Sequence, residues 1–413
     1  MNILMISSTF PYPPSRGGTE IRTFNLLKYL QQNHCVTLVS QYDHRVSQAE
    51  IEELRQWVNQ LVLFALPADP KSSNPLTKTL QKVGRFAESM WQTTPPNVLH
   101  RYSRQMQAWI DQFVESGKCD AITCEHSVNE IYVRPSFSAK VTTVVDIHSS
   151  VAGWTRNHLD MGASPHELRD RLYLNLLLER YEKRYAAKFT HLVVTTEDDK
   201  SQFSKFQPQA QIHVVPNGVD LELFPCRTFD PSGYNLVFVG AMDASHNIDA
   251  ARFFTLSVLP HLQQLYPNTT FTIVGARPTP EVKALGDAPG VKVTGKVPQV
   301  VDFLHQATVC VTPLRSGYGI KNKTLEAMAA GVPVVASDRG LEGLAVDGEG
   351  VPARALRANT VQEYIDAVSK LFEQPQLRQT LSQNGRLLIE TEYTWDSAGQ
   401  HYEQVLLSSV PVE

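Results

Sequence analysis

The sequence predicts an α/β protein built from two doubly wound parallel sheets. Short apolar, β-branched runs alternate with longer amphipathic helical stretches almost throughout, the pattern of parallel strands joined by crossover helices. That series stops and restarts once, around the Pro-, Gly- and Asp-rich stretch Pro216–Gly233. At 413 residues the chain is also too long for one ordinary core. The expected division is therefore a first domain over 1–215, a second over 216–394, and a helical segment over 395–413 that packs back on the first.

In the first half the expected strands are Ile3–Ser7, Val36–Ser40, Leu61–Leu66, Ala121–Cys124, Val141–Ile147, Leu192–Thr195 and Ile212–Val215. In the second they are Leu236–Gly240, Phe271–Gly275, Val291–Thr294, Val309–Thr312 and Val332–Ala336. Each is a short run of Val, Ile, Leu or Phe without the polar alternation of a half-exposed strand, as parallel strands covered on both faces require. Trp395–Leu407 reads as a helix beyond the last strand. Two such domains in tandem are expected to bind a ligand in a cleft, at the carboxyl ends of the strands.

The segment Pro313–Ser337 (PLRSGYGIKNKTLEAMAAGVPVVAS) carries the most chemistry. Leu325, Met328 and Ala329 recur at helical spacing, and Gly331 followed by Pro333 stops the helix. Its start falls near Asn322 or Lys323, where free amides, the positive dipole end and the charges of Lys321 and Lys323 would favour a phosphate. Gly317 and Gly319 let a ligand approach the backbone closely. Glu326, one turn in, is placed to accept both hydroxyls of a ribose. Singly, each of these residues has an ordinary structural explanation, since a first-turn Glu is favoured by the dipole alone by about 0.3–1 kcal/mol. Their coincidence at one strand end indicates a site.

A formal net charge of −4 gives no general reason to expect nucleic acid. Five cysteines without a C-x-x-C pair, with Cys35 and Cys310 in apolar runs, read as buried thiols in a reducing compartment. The chain enters its first strand at Asn2 without a basic leader, and no apolar run reaches the length of a membrane span. A cytoplasmic protein is expected, with the inner membrane face as a location that Leu76–Trp91 would suit. There Lys78, Lys82 and Arg85 stand roughly at helical spacing beside Leu80, Val83 and Phe86, although an ordinary surface helix looks the same.

Four places carry a family resemblance: Pro14–Thr19 (PSRGGT), Val215–Asp220 (VPNGVD), Leu236–Gly240 (LVFVG) and the segment Pro313–Ser337. Through them nearly the whole chain resembles the GT-B fold glycosyltransferases, and specifically the retaining enzymes of glycosyltransferase family 4. The resemblance implies a nucleotide-diphosphate sugar on the second domain and a saccharide or lipid-linked acceptor on the first. It gives the ribose to Glu326, the pyrophosphate to amides around Lys323 and Thr324, and the base to backbone near Lys296 and Val297. Gly17 and Gly18 resemble a loop that closes over the phosphates, and Gly240 ends the restart strand beside the donor. The implied role is cell-envelope or exopolysaccharide synthesis, with no cofactor beyond the donor substrate.

Two departures stand out. The family commonly has a second glutamate where this chain has Tyr318, and an Arg and a Lys after the restart strand, where it has Gly240-Ala241-Met242 followed by His246 and Asn247. Lys321, Lys323 and Arg315 are the expected substitutes for that positive charge. With no Asp-x-Asp and no His-rich ligand spacing, dipoles and lysines rather than a metal are expected to stabilise the leaving diphosphate. Two histidines follow predicted strands of the first domain. His126 (Thr123-Cys124-Glu125-His126-Ser127) resembles the family histidine that contacts the donor sugar; His148 (Asp146-Ile147-His148-Ser149) is its rival, with Glu125 a third candidate and Asp146 the expected partner of an imidazole. An epimerase on the same fold, or a silent nucleotide-sugar-binding scaffold, are the competing functions. A dehydrogenase is disfavoured, because no strand runs into G-x-G-x-x-G.

Overall fold

A computed structural model describes residues 1–67 and 75–408 apart from Met161, Ala163, Pro165 and Tyr318; for Ser15 and residues 75–83 it describes the backbone alone. The chain divides into Met1–Pro216, joined by the segment from Ala398 onward, and Asn217–Ser397.

Among the described residues the first unit is a seven-stranded sheet of β1 (Asn2–Ser7), β2 (Cys35–Tyr42), β3 (Gln60–Ala65), β4 (Ala121–Glu125), β5 (Thr142–Ile147), β6 (His191–Val194) and β7 (Gln211–Val214). The order is β3-β2-β1-β4-β5-β6-β7, with every pairing parallel. The direction of winding reverses between β1 and β4, the switch point at which such sheets bind ligands. β4 is buried along its whole length, which explains its unalternating sequence AITCE. Its register with β5 pairs Glu125 with Asp146, so two acidic residues stand side by side at the strand ends.

The second unit repeats the plan with β8 (Asn235–Val239), β9 (Thr270–Val274), β10 (Val291–Val293), β11 (Val309–Thr312), β12 (Val334–Ala336) and β13 (Leu356–Arg357), ordered β10-β9-β8-β11-β12-β13. Phe238 packs on one face with Phe254, Phe271 and Leu381, while Val237 and Val239 pack on the other with Leu325, Met328 and Leu388. Both faces are thus covered, and at about 25 cal/mol per Å² of apolar surface removed from water this burial is the main force holding the sheet.

Several expectations change. The last long strand is Val334–Ala336; Val332 and Pro333 lie before it, after Gly331 (φ +71°) ends the helix. β13 was not anticipated, because two residues are too few to show a period. Cys35 is exposed at the amino-terminal edge of β2, and so is Cys226, whereas Cys119, Cys124 and Cys310 are buried. The stretch beginning at Pro216 is more than a linker: Val219 is buried and bridges to Thr394, and a Cβ on Gly218 would stand 2.4 Å from the Trp395 nitrogen.

The C-terminal helix Trp395–Leu407 contributes to the first unit from Ala398 onward. Gly399 lies so close to Tyr29 that a Cβ would fall 2.2 Å from its ring, and Glu403 accepts from His34 at 2.7 Å. Among the described residues no helix is long and apolar enough to cross a membrane. The helix Pro75–Gln92 spans the segment considered for membrane contact, but the side chains of Lys78, Leu80, Lys82 and Val83 lie outside the described residues.

Candidate active site

In the second unit the helix Asn322–Ala329 begins directly after the loop that leaves β11. It buries Leu325, Met328 and Ala329 against the sheet, which turns its first residues toward the carboxyl ends of β8 and β11. The amides of Asn322 and Lys323 donate to no group among the described residues, whereas that of Thr324 already donates to the Lys321 carbonyl at 2.9 Å. Free donors are therefore present one residue earlier than expected. Thr324 is fully buried, and its hydroxyl donates to the Gly340 carbonyl at 2.7 Å, fastening the loop after β12.

The three expected cations separate. Lys321 is buried, donates to the Gly319 carbonyl and lies 3.0 Å from Glu342, which also faces Arg339 at 3.6 Å. Arg315 is held by Asp249 and lies over the Phe253 ring at 5.1 Å. Their charges are thus matched within the fold, and neither is left to replace the family's missing cations. Lys323 differs. Its amine donates to Asn247 Oδ1, lies 5.0 Å from the Phe238 ring centroid, and would be 3.0 Å from a Cβ on Gly240. A residue larger than glycine at 240 would displace Asn247 or Lys323.

Burial, reinforced by the charge of Lys321, lowers the Lys323 amine to about 7. Burial likewise raises Glu326 to about 7, against the opposing pull of Lys323. The Glu326 carboxylate makes no hydrogen bond or ion pair among the described residues, so both oxygens remain available to hydroxyl donors. Val297 packs into the apolar cluster below. Gly275 was not anticipated: at φ +157° its absent Cβ would overlap the Gly240 carbonyl oxygen at 1.6 Å, so the two strand ends touch only because residue 275 is glycine. Gly319 takes φ +78° in the loop before the helix.

The first unit places a different set at its strand ends. Asp146 is fully buried and takes both arms of the Arg22 guanidinium, at 2.7 and 2.8 Å. Arg22, 1% exposed, also donates to the carbonyls of Val215 at 3.0 Å and Pro216 at 3.2 Å. Burial opposes charge on Asp146, but Arg22 and His148 outweigh it and hold the carboxyl well below its usual range. Neighbouring Glu125 accepts from the Tyr402 hydroxyl of the C-terminal helix at 3.0 Å. Burial, with the adjacent Asp146 charge, raises it to about 8, so at neutral pH it is largely a neutral acid. Arg22 and Tyr402 are thus site residues that sequence reading missed; each looked like part of an ordinary helix.

The two histidine rings meet edge to face, 4.9 Å apart, and their surroundings differ. His126 occupies the left-handed region (φ 74°), a conformation costing on the order of 1–3 kcal/mol in a non-glycine residue. Asn129 holds this turn: its amide donates to the Glu125 carbonyl, and its oxygen accepts from Ser8 N at 2.7 Å. The His126 Nδ1 accepts from Val128 N at 3.3 Å, and burial, then the neighbouring His148, lowers the ring to about 3. It is a neutral cap. His148 stands with Nε2 3.1 Å from Asp146.

Among the described residues Glu125, Asp146 and His148 also offer donor atoms within 4.8 Å of one another, a spacing a cation could bridge. The Arg22 guanidinium already supplies positive charge to Asp146 there. Gly17 and Gly18 open the helix Gly18–Leu30; Gly17 is its extended N-cap, and a Cβ there would meet the Glu20 carboxylate at 2.8 Å, while Gly18 has open space around it.

Comparison with known proteins agrees with this plan. The model of a family described as Glycosyltransferase Family 4 matches residues 16–223, about half of the chain, and that of Glycosyl transferases group 1 matches residues 233–374. The MMP alpha-(1->4)-mannosyltransferase of Mycolicibacterium hassiacum is 28% identical over 199 residues, 45% of this chain and 46% of that protein. The match thus spans about half of that relative's length. Sucrose-phosphate synthase from Thermosynechococcus elongatus has a similar structure, with TM-score 0.66 and 17% identity over 99% of this chain and 100% of that one. So does Anabaena HepE in complex with UDP, with TM-score 0.65 and 16% identity over 99% and 100%. The architecture is GT-B, and the chain belongs to glycosyltransferase family 4.

Proposed function

We propose that this enzyme takes a sugar from a nucleotide-diphosphate donor bound to the second unit and transfers it, with retention, to a saccharide or lipid-linked acceptor bound to the first. The observation that carries this reading is the pairing of Glu326, a carboxylate unengaged among the described residues, with Lys323 and two amides at the start of one helix that likewise have no acceptor there. Glu326 would accept the ribose hydroxyls. Lys323 and the amides of Asn322 and Lys323 would hold the diphosphate, replacing cations that relatives place after the restart strand. UDP bound to Anabaena HepE, and the mannosyl transfer named for the Mycolicibacterium relative, support a nucleotide-sugar donor of this type.

The chemistry asks the site to stabilise charge on the departing diphosphate. Preorganised amides and one lysine supply that stabilisation without a metal. As the bond from the anomeric carbon to the diphosphate oxygen breaks, the acceptor oxygen bonds to that carbon and its proton passes to the departing phosphate. His148, oriented by Asp146, would hydrogen-bond the reacting sugar, while His126 shapes the turn beside it. The product would serve cell-envelope or exopolysaccharide synthesis at the cytoplasmic face of a membrane.

A thermal-shift screen against nucleoside diphosphates and nucleotide sugars tests the reading, because a ligand selective for the folded state raises its melting temperature. One nucleotide series should stabilise the protein, and transfer or slow hydrolysis should follow with its sugar. A flat response across the panel would refute a nucleotide-sugar enzyme.

A further inference from the structure

The first unit has a cavity that the donor chemistry leaves unused. It holds about 650 Å³ and is lined by residues of the helix Pro75–Gln92, the helix Arg104–Glu115, the loop between 99 and 104, and the short turn Ser127–Tyr132. That turn starts immediately after His126 and is tied by Asn129 to Ser8, just beyond β1. The loop is tied to the end of β2, where the Gln41 amide and the Tyr132 hydroxyl both donate to the Arg101 carbonyl at 2.9 Å. The cavity therefore borders the carboxyl side of the sheet and abuts the turn that follows His126.

Its lining has two elements suited to a charged sugar. Tyr102 stacks on the buried ring of Tyr132, with centroids 5.6 Å apart and planes at 20°, which makes a rigid aromatic wall. Arg85 and Arg104 also line it, and neither makes a hydrogen bond or ion pair among the described residues. The third guanidinium, Arg134, is taken by Asp111. One carboxylate, Glu88, lines the cavity and accepts from Gln92 at 3.1 Å. Arginine's planar fork matches a carboxylate or phosphate in two parallel hydrogen bonds. Two forks unengaged among the described residues, beside an aromatic wall in one concavity, are the few convergent polar groups expected of a ligand site.

We propose that this cavity binds the acceptor, and that the acceptor is a saccharide bearing an anionic group, a carboxylate or a phosphate. Arg85 and Arg104 grip the anion and Tyr102 packs against a sugar face. The inference rests on the reading of the first unit as the acceptor side of a glycosyltransferase.

The test titrates the full chain with methyl glucuronide, glucose 6-phosphate and methyl glucoside by ligand-observed NMR, at low and high salt. At least one anionic probe should bind about tenfold tighter than the neutral one, and high salt should erase the difference. Arg85→Gln with Arg104→Gln should abolish the preference and leave the melting temperature unchanged, because both side chains reach solvent. A preference for the carboxylate probe assigns a uronate-type acceptor, and one for the phosphate probe a sugar phosphate. Equal binding of all three probes, binding of none, or a preference that survives the double substitution overturns the proposal. Nucleoside diphosphates titrated into the same samples separate the two claims. A retained nucleotide response with no anion preference ends this proposal alone, and loss of any nucleotide response would instead undo the donor reading.

Discussion

The strand ends of the two units look alike in sequence and behave oppositely in structure. In the first unit the charges satisfy one another: Arg22 fills Asp146 and the carbonyls of Val215 and Pro216, and Tyr402 caps Glu125. In the second, Lys321 and Arg315 are similarly matched, yet Glu326 and the amides of Asn322 and Lys323 are left over among the described residues. A charged residue near a strand end therefore says little until its partners are counted. What marks a binding site is the buried capacity that the fold does not use.

The largest expected effect falls on the satisfied side. Arg22→Met would leave Asp146 buried without its cation, a defect worth about 3–5 kcal/mol. Urea denaturation should show that loss, and a variant as stable as the parent would mean that the guanidinium is dispensable. Next comes the unsatisfied side. Lys323→Ala should weaken nucleoside diphosphate binding by about 10- to 100-fold, the range of a charge-assisted contact of roughly 1.5–3 kcal/mol. Lys321→Ala should instead lower stability, by stranding Glu342, while the affinity of the folded protein changes little. Calorimetric titration beside a melting curve separates the two lysines, and the reverse pattern would exchange their roles.

A smaller effect follows from titration. Lys323, lowered to about 7, loses its charge as pH rises through that value, so affinity should fall on the alkaline side. Glu326, raised to about 7, is protonated as pH falls through the same value and loses acceptor capacity, so affinity should fall on the acid side too. Binding should peak near neutrality, and Glu326→Gln should remove only the acid limb. Affinity that does not vary across this window would show that neither group titrates there.

A further effect concerns the pH dependence of stability. Glu125 has a folded value near 8 against an ordinary 4.5, so its contribution is complete below 4.5 and is lost as pH rises through 8. Glu125→Gln should flatten the decline in melting temperature between those limits. Some slope should remain, because Glu182, raised by burial to about 7, acts with the same sign. An unchanged slope would assign the decline to other groups.

How much of this was legible in the sequence depended on how local the cause was. Parallel strands announce themselves as unbroken apolar runs, and the helix at Asn322 by its spacing of Leu325, Met328 and Ala329 and its Gly331 stop, so the fold and the place of Glu326 could be read directly. The engagement of Lys321 could not, because Glu342 arrives from a loop beyond the next strand. Arg22 looks like one polar residue on an amphipathic helix, and only the sheet order brings it to Asp146. Gly275 ended a strand unremarkably; its need for glycine appears only when β8 lies beside it. The histidines were found by position, but their different duties depend on backbone strain at His126 and on the Asp146 contact at His148, neither of which has a sequence signal.

The central claim is that the start of the helix Asn322–Ala329 receives a nucleoside diphosphate. Backbone amide NMR of the full chain during titration with UDP and GDP tests it most directly. One of them should shift the amides of Asn322 and Lys323, with saturation at the same concentration as the calorimetric binding curve. Saturable binding that leaves those two amides unmoved would contradict it.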